Sequence, residues 1–91
     1  MAKKSKKKEI RLTKKEKQAV LDTIEEELKT NLVGKNRAFL AIRFYNRRAS
    51  EQSTKEAQAQ WATKADQARS NYEFICDYME YLEDVKEEYS A

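Results

Sequence analysis

The residues of this 91-residue sequence that could do chemistry are most concentrated at its N-terminus, where they are cationic. Residues 1–17 hold nine Lys or Arg and two acidic residues. Such a basic run binds the phosphates of nucleic acid by releasing counterions, without reading base sequence. An acidic protein surface is an alternative target, and solubility alone is a third explanation of the charge. The candidate phosphate-binding residues here are Lys3, Lys4, Lys6, Lys7, Lys8, Arg11, Lys14 and Lys15.

A second cationic pattern lies near the middle of the chain. At helical spacing, Phe39, Arg43 and Arg47 share one narrow polar arc with Asn46 and Ser50. Guanidinium forks contact phosphates and stack on bases, and an exposed Phe offers a further stacking surface. We expect these three residues to extend the nucleic-acid-binding surface. The alternative is that Phe39 packs inside the protein and the Arg side chains pair with acids such as Glu25 to Glu27.

The C-terminal part of the chain carries the opposite charge. Its acidic residues recur at spacings of four and three and share a helix face roughly opposite an apolar seam; they are Glu73, Asp77, Glu80, Asp84 and Glu87. Such a stripe is either a solvated face or a docking strip for a basic partner, including the chain's own Lys residues. Trp61, in an Ala-rich segment, is a candidate interface anchor. The expected protein-binding residues are therefore Trp61, Glu73, Asp77, Glu80 and Asp84.

The residue types that are missing restrict catalysis. The sequence has no His, one Cys and one Gly. It therefore offers no imidazole base, no Cys/His zinc cage, no intrachain disulfide and no phosphate-cradling loop. We expect no enzyme activity, no cofactor and no metal, and we expect Cys76 to pack as a small apolar residue. Without a secretory signal or an 18-residue apolar run, a cytoplasmic location without membrane insertion is expected.

The elements that position these residues are predicted to be helices, because the sequence has no Pro and a single Gly. Thr13 and Glu16 have the spacing of a capping box, apolar residues follow at helical spacing, and Gly34 suits a C-terminal cap. These features predict a helix over 14–32. Asn36 then caps a second helix over 37–51. A strand at 38–45 is the alternative, but no partner strand is available for its hydrogen bonds.

The third predicted helix spans 54–88 and begins at a second capping box, Ser53 to Glu56. Its apolar residues have the four-three spacing of helices packed lengthwise; they are Trp61, Ala65, Ala68, Tyr72, Ile75, Met79 and Leu82. A second stripe is expected to be covered as well and comprises Phe74, Tyr78, Tyr81 and Val85. The segment around Trp61 either accepts a closely approaching helix or projects beyond the shorter helices, and in the second case two chains could pair there as a homodimer.

Together these features predict an all-α fold. It has an antiparallel three-helix arrangement with one long C-terminal helix, over 13–91, preceded by a flexible basic arm over 1–12. The net charge runs +7 in residues 1–17, −3 in 18–34, +5 in 35–69 and −6 in 70–91. The leading hypothesis is a small non-enzymatic nucleic-acid-associated protein. The alternative is a protein-binding modulator or inhibitor, of the type that phages and mobile elements encode, that occupies a partner's surface.

Overall fold

The computed structural model describes residues 10–90, and these form a hairpin of two helices. Helix α1 spans Lys14–Glu51 and helix α2 spans Lys55–Ser90. The described residues include no strand, so the all-α prediction is confirmed. At 1.5 Å per residue each helix is about 55 Å long. Of the predicted basic arm, residues 1–9 lie outside the described part.

The predicted capping box begins α1. The backbone N–H of Glu16 donates to Thr13 Oγ1 (3.2 Å), and the N–H of Thr13 donates to Glu16 Oε1 (2.8 Å). Each residue thereby satisfies a backbone donor that the first helical turn leaves without an intrahelical partner. The start of α1 at Lys14 agrees with the sequence prediction.

The predicted break between 32 and 37 is wrong, and with it the three-helix arrangement. Gly34 does not cap a helix, and α1 continues through Asn36 to Glu51. Glycine in a helix interior costs about 1 kcal/mol relative to alanine, which is too little to end a helix whose packed face continues on both sides. That face continues from Ile24 to Ala38 and beyond, along the whole of α2.

A three-residue turn joins the helices. Gln52 closes α1 in an extended conformation, and its side chain donates to the carbonyl oxygen of Arg48. The hydroxyl of Thr54 accepts from the N–H of Ala57. The N-cap of α2 is therefore Thr54, one residue later than the predicted box at Ser53.

The core is a single line of contacts between the helices. Every residue of the predicted seam from Trp61 to Leu82 is buried or half-buried. The buried apolar residues are Ile24, Ala38, Ala65, Ile75 and Leu82. Because α1 is as long as α2, it covers the Ala-rich part of the seam, so of the two alternatives for the segment around Trp61 the structure has the covered one and not the projecting one.

The second predicted apolar stripe is not covered on two sides. Phe74 is 67% exposed and Tyr81 60% exposed. This expectation fails for the same reason as the three-helix arrangement, since no third helix lies over the described part of α2. Neither α1 nor α2 contains a stretch apolar enough to cross a membrane.

Candidate nucleic-acid interface

The hairpin separates charge along its long axis. Residues 35–69, with a net charge of +5, form the turn end. Residues 18–34 and 70–91, with net charges of −3 and −6, belong to the opposite half, which we call the open end. Gly34 and Ile75 meet close to the midpoint between these halves. The turn end is therefore basic, whereas the open end is acidic on α2 and neutral on α1, where the +3 of residues 10–17 offsets the −3 of residues 18–34.

The predicted Arg pair lies on the outer side of α1 at the turn end. Arg43 and Arg47 are both exposed, and the Arg47 side chain retains 80% of its accessible surface. Arg47 Nε lies 3.6 Å from Glu51 Oε2, an exposed pair that water screens. The two guanidinium groups border a surface groove of 660 Å³, whose lining residues are Arg43, Phe44, Asn46, Arg47 and Ser50.

The aromatic residue beside this groove is Phe44, whereas the sequence predicted Phe39. Phe39 is 47% exposed, but its ring centroid lies 6.5 Å from that of Tyr72, on the side of α1 toward α2. Phe44 is 53% exposed and lines the groove itself. The sequence does contain a signal for Phe44, because it precedes Arg47 and Arg48 by three and four residues, which is one helical turn.

Trp61 belongs to a cluster of rings and cations at the turn end. Its ring meets Phe44 edge-on at 6.2 Å and Tyr45 at 6.0 Å. The Arg48 guanidinium lies 5.4 Å from the Trp61 ring centroid, within cation–π range, and Lys64 Nζ lies 6.0 Å from it. Trp61 is half-buried and packs within the hairpin, so this ring holds the turn end of α2 against α1.

The acidic stripe lies on the outer face of α2. The side chains of Glu73, Asp77, Glu80, Asp84 and Glu87 are all exposed. Their neighbour Lys86 points across to α1 instead, and its Nζ lies 2.7 Å from Glu25 Oε2. The hydrogen bond and charge of Lys86 lower the pKa of Glu25, and Glu25 in turn raises the pKa of Lys86.

The basic residues that precede and begin α1 lie at the open end, far from the Arg pair. Arg11 and Lys17 share a surface groove with Glu88 and Tyr89 of α2. Lys14 and Lys15 are exposed in the first turn of α1, about 44 Å along the helix from Arg43 at 1.5 Å per residue. The expected continuous cationic surface is therefore divided into two. The remaining candidates, Lys3, Lys4, Lys6, Lys7 and Lys8, lie outside the described residues.

The described part of the chain offers few other reactive or metal-binding side chains. Cys76 is half-buried and unpaired. Between residues 10 and 90, no cluster of three or more acidic or Cys side chains is arranged to hold a metal ion. Comparison of the chain with protein families, curated proteins and solved structures finds no match.

Proposed function

We propose that this chain is a non-enzymatic protein that binds nucleic-acid phosphates through the basic turn end of its hairpin. The supporting observation is the concentration of positive charge there, net +5 over residues 35–69, together with the outward exposure of Arg43 and Arg47. Two guanidinium groups one helical turn apart suit successive phosphates of a strand. Phe44 beside them offers a stacking surface to an unpaired base.

The Lys-rich N-terminal residues add a second contact region at the open end. About 44 Å separates Lys14 from Arg43, which corresponds to about 13 base pairs at 3.4 Å each. A short duplex engages one region, whereas a longer duplex engages both. Since phosphate contacts by exposed cations carry no sequence information, we expect binding that is largely insensitive to sequence.

Fluorescence anisotropy with labelled DNA and RNA duplexes of 10 and 30 base pairs tests this proposal. Affinity should fall steeply with salt, with a logarithmic slope of about −0.9 per duplex phosphate contact. The double variant R43A/R47A should bind both duplexes more weakly and with a shallower slope. Deletion of residues 1–8 should weaken binding of the longer duplex most.

The matched control is K29A, which removes an exposed cation on the outer side of α1 in the acidic half. It should leave affinity nearly unchanged. Wild-type affinity in R43A/R47A, or no binding by the wild-type chain at low salt, would refute the proposal.

A second candidate function is protein binding through the acidic stripe. Five exposed carboxylates on one rigid helix face favour it, since their regular spacing suits a basic partner surface. Reversing the charge of Glu73, Asp77, Glu80 and Asp84 should abolish capture of a host protein that is retained after nuclease treatment. Trp61→Ala should also weaken capture if the turn end takes part. A partner that is lost on nuclease treatment would favour nucleic acid instead.

A further inference from the structure

Four aromatic side chains are exposed in the part of the chain that the structure describes, and they differ in the charge around them. They are Phe39, Phe44, Phe74 and Tyr81. The last two belong to residues 70–91, whose net charge of −6 repels phosphates. The two Phe residues of α1 belong to residues 35–69, where the net charge is +5. The rings that a bound polyanion can contact are therefore those of α1.

Of these two rings, Phe44 borders the groove of the Arg pair, whereas Phe39 meets the Tyr72 ring of α2. The Phe44 ring is held on the side toward α2. The Trp61 ring lies 6.2 Å from it with the two planes at 86°, and the Arg48 guanidinium lies 6.0 Å from its centroid. Even so, 53% of Phe44 stays exposed. Because the ring is positioned before a ligand binds, stacking on it costs little side-chain ordering.

The cations of the same groove are not neutralised within the hairpin. Arg43 forms no ion pair with any residue between 10 and 90, and Arg47 has only its exposed contacts near Glu51. The two Arg residues are four positions apart, which is about 6 Å along the helix axis. The groove therefore offers two phosphate contacts with an aromatic ring beside them.

We propose that this groove is a site for single-stranded nucleic acid, in which the Arg pair binds phosphates and an unpaired base stacks on Phe44. The inference rests on the proposed function and adds to it the strandedness of the ligand. In a duplex the bases stack on one another, and freeing one base costs the free energy of unstacking and unpairing. Phe44 therefore contributes to binding of an unpaired strand, whereas the Arg pair contributes to binding of both ligands.

Salt should separate the two ligands further. Each phosphate contact gives a logarithmic salt slope of about −0.9 on a duplex and about −0.7 on a single strand. A base that stacks on Phe44 releases no counterion, so its contribution remains when salt weakens the phosphate contacts. The preference for the single strand should therefore grow as the salt concentration rises.

Fluorescence anisotropy of the full chain tests the site, with a labelled strand of 10 nucleotides and the duplex of the same sequence. At about 200 mM salt the wild type should bind the strand more tightly than the duplex. Phe44→Leu keeps an apolar side chain against Trp61 but removes the stacking ring. It should weaken strand binding about 5- to 150-fold, the effect of losing one stacked base, and leave duplex binding unchanged. Phe44→Trp should restore strand binding.

The matched control is Phe39→Leu, the same change at the other exposed Phe of α1. It should bind both ligands as the wild type does. Circular dichroism and urea unfolding of the variants check that each keeps the hairpin. A strand that contains 5-iodouracil locates the stacked base, because this base couples under irradiation to an aromatic ring on which it stacks. Mass spectrometry should find the crosslink on Phe44.

The outcomes distinguish this inference from the proposed function. If R43A/R47A weakens binding of both ligands, but Phe44→Leu changes neither or weakens both equally, the stacking site is refuted and the phosphate contacts remain. A wild type that prefers the duplex, an equal loss in Phe39→Leu, or a crosslink on Phe74 or Tyr81 would also overturn the single-strand site. No binding of either ligand by the wild type would overturn both proposals.

Discussion

The phenol of Tyr78 donates a hydrogen bond to Glu27 Oε1 over 3.1 Å and so links two residues that are 51 positions apart in the sequence. It ties α2 to α1 on the side of the hairpin where Tyr78 stacks between Phe74 and Tyr81. The bond also raises the pKa of Tyr78 above its ordinary 10.0, because the carboxylate accepts the phenolic proton and would repel a phenolate.

Tyr78→Phe should therefore change how stability depends on alkaline pH. A raised pKa in the folded state means that the stabilisation is fully present below pH 10 and is lost as pH rises through the folded pKa. We expect wild-type stability to fall more steeply than that of the variant as pH rises above 10. Urea unfolding across this range measures the difference. Identical pH profiles would show that the hydrogen bond does not form in solution.

The ion pair between Lys86 and Glu25 predicts the opposite dependence in acid. The pKa of Glu25 lies below its ordinary 4.5, so its stabilisation is present above pH 4.5 and is lost as pH falls through the folded pKa. Glu25→Gln should be less stable than wild type at pH 7, and the two should converge in acid. Because both side chains are partly exposed, 1 M salt should shrink the difference at pH 7. Glu26→Gln, at an exposed neighbouring position, is the control and should match wild type throughout.

Gly34→Ala should stabilise the single hairpin by up to about 1 kcal/mol, the difference in helix propensity between the two residues. Gly34 has an ordinary helical conformation, and an added Cβ would meet Ile75 Cδ1 at 3.5 Å, a normal van der Waals contact. Urea unfolding of the two proteins under the same conditions makes the comparison. Gly34→Leu has no such room and should destabilise. Destabilisation by alanine would mean that the helices approach more closely than described.

The narrow core should be sensitive to truncation. Ile75 and Leu82 are 9% and 6% exposed, and each replacement by Ala should cost about 2 to 5 kcal/mol. Leu40→Ala, at a position 64% exposed, should cost less than about 1 kcal/mol. Chemical denaturation of the three variants tests this contrast. Equal losses at all three positions would mean that the seam is not the core.

Local signals in the sequence predict much of this fold. The Thr13 hydroxyl and the Glu16 carboxylate each accept a hydrogen bond from the other residue's backbone N–H. Because both bonds join residues three apart in the sequence, the start of α1 can be predicted from the sequence. The seam from Trp61 to Leu82 is readable because its spacing survives over three heptads. Gly34 misleads because glycine serves equally as a helix cap and as a site of close packing, and only the partner helix distinguishes these roles.

The candidate interface is harder to predict because a helical wheel does not show which side meets the second helix. With α1 divided in two, Phe39 falls among the Arg residues and Phe44 on the apolar side. In the structure Phe39 is exposed but contacts Tyr72, and Phe44 contacts Trp61 while it also lines the groove beside the Arg pair. Likewise, the distance between Lys14 and Arg43 becomes apparent only when the two predicted helices are continuous.

The short turn at Gln52 to Thr54 also determines how the protein responds to force. Since α1 begins and α2 ends at the same end of the rod, tension applied at Lys14 and Ser90 pulls the helices apart from that end. The ion pair of Lys86 carries the load first, then the contacts near Ile75, and the rings around Trp61 last. Contacts loaded one after another yield at a lower force than contacts sheared together, so the hairpin should unzip progressively from its open end toward its turn.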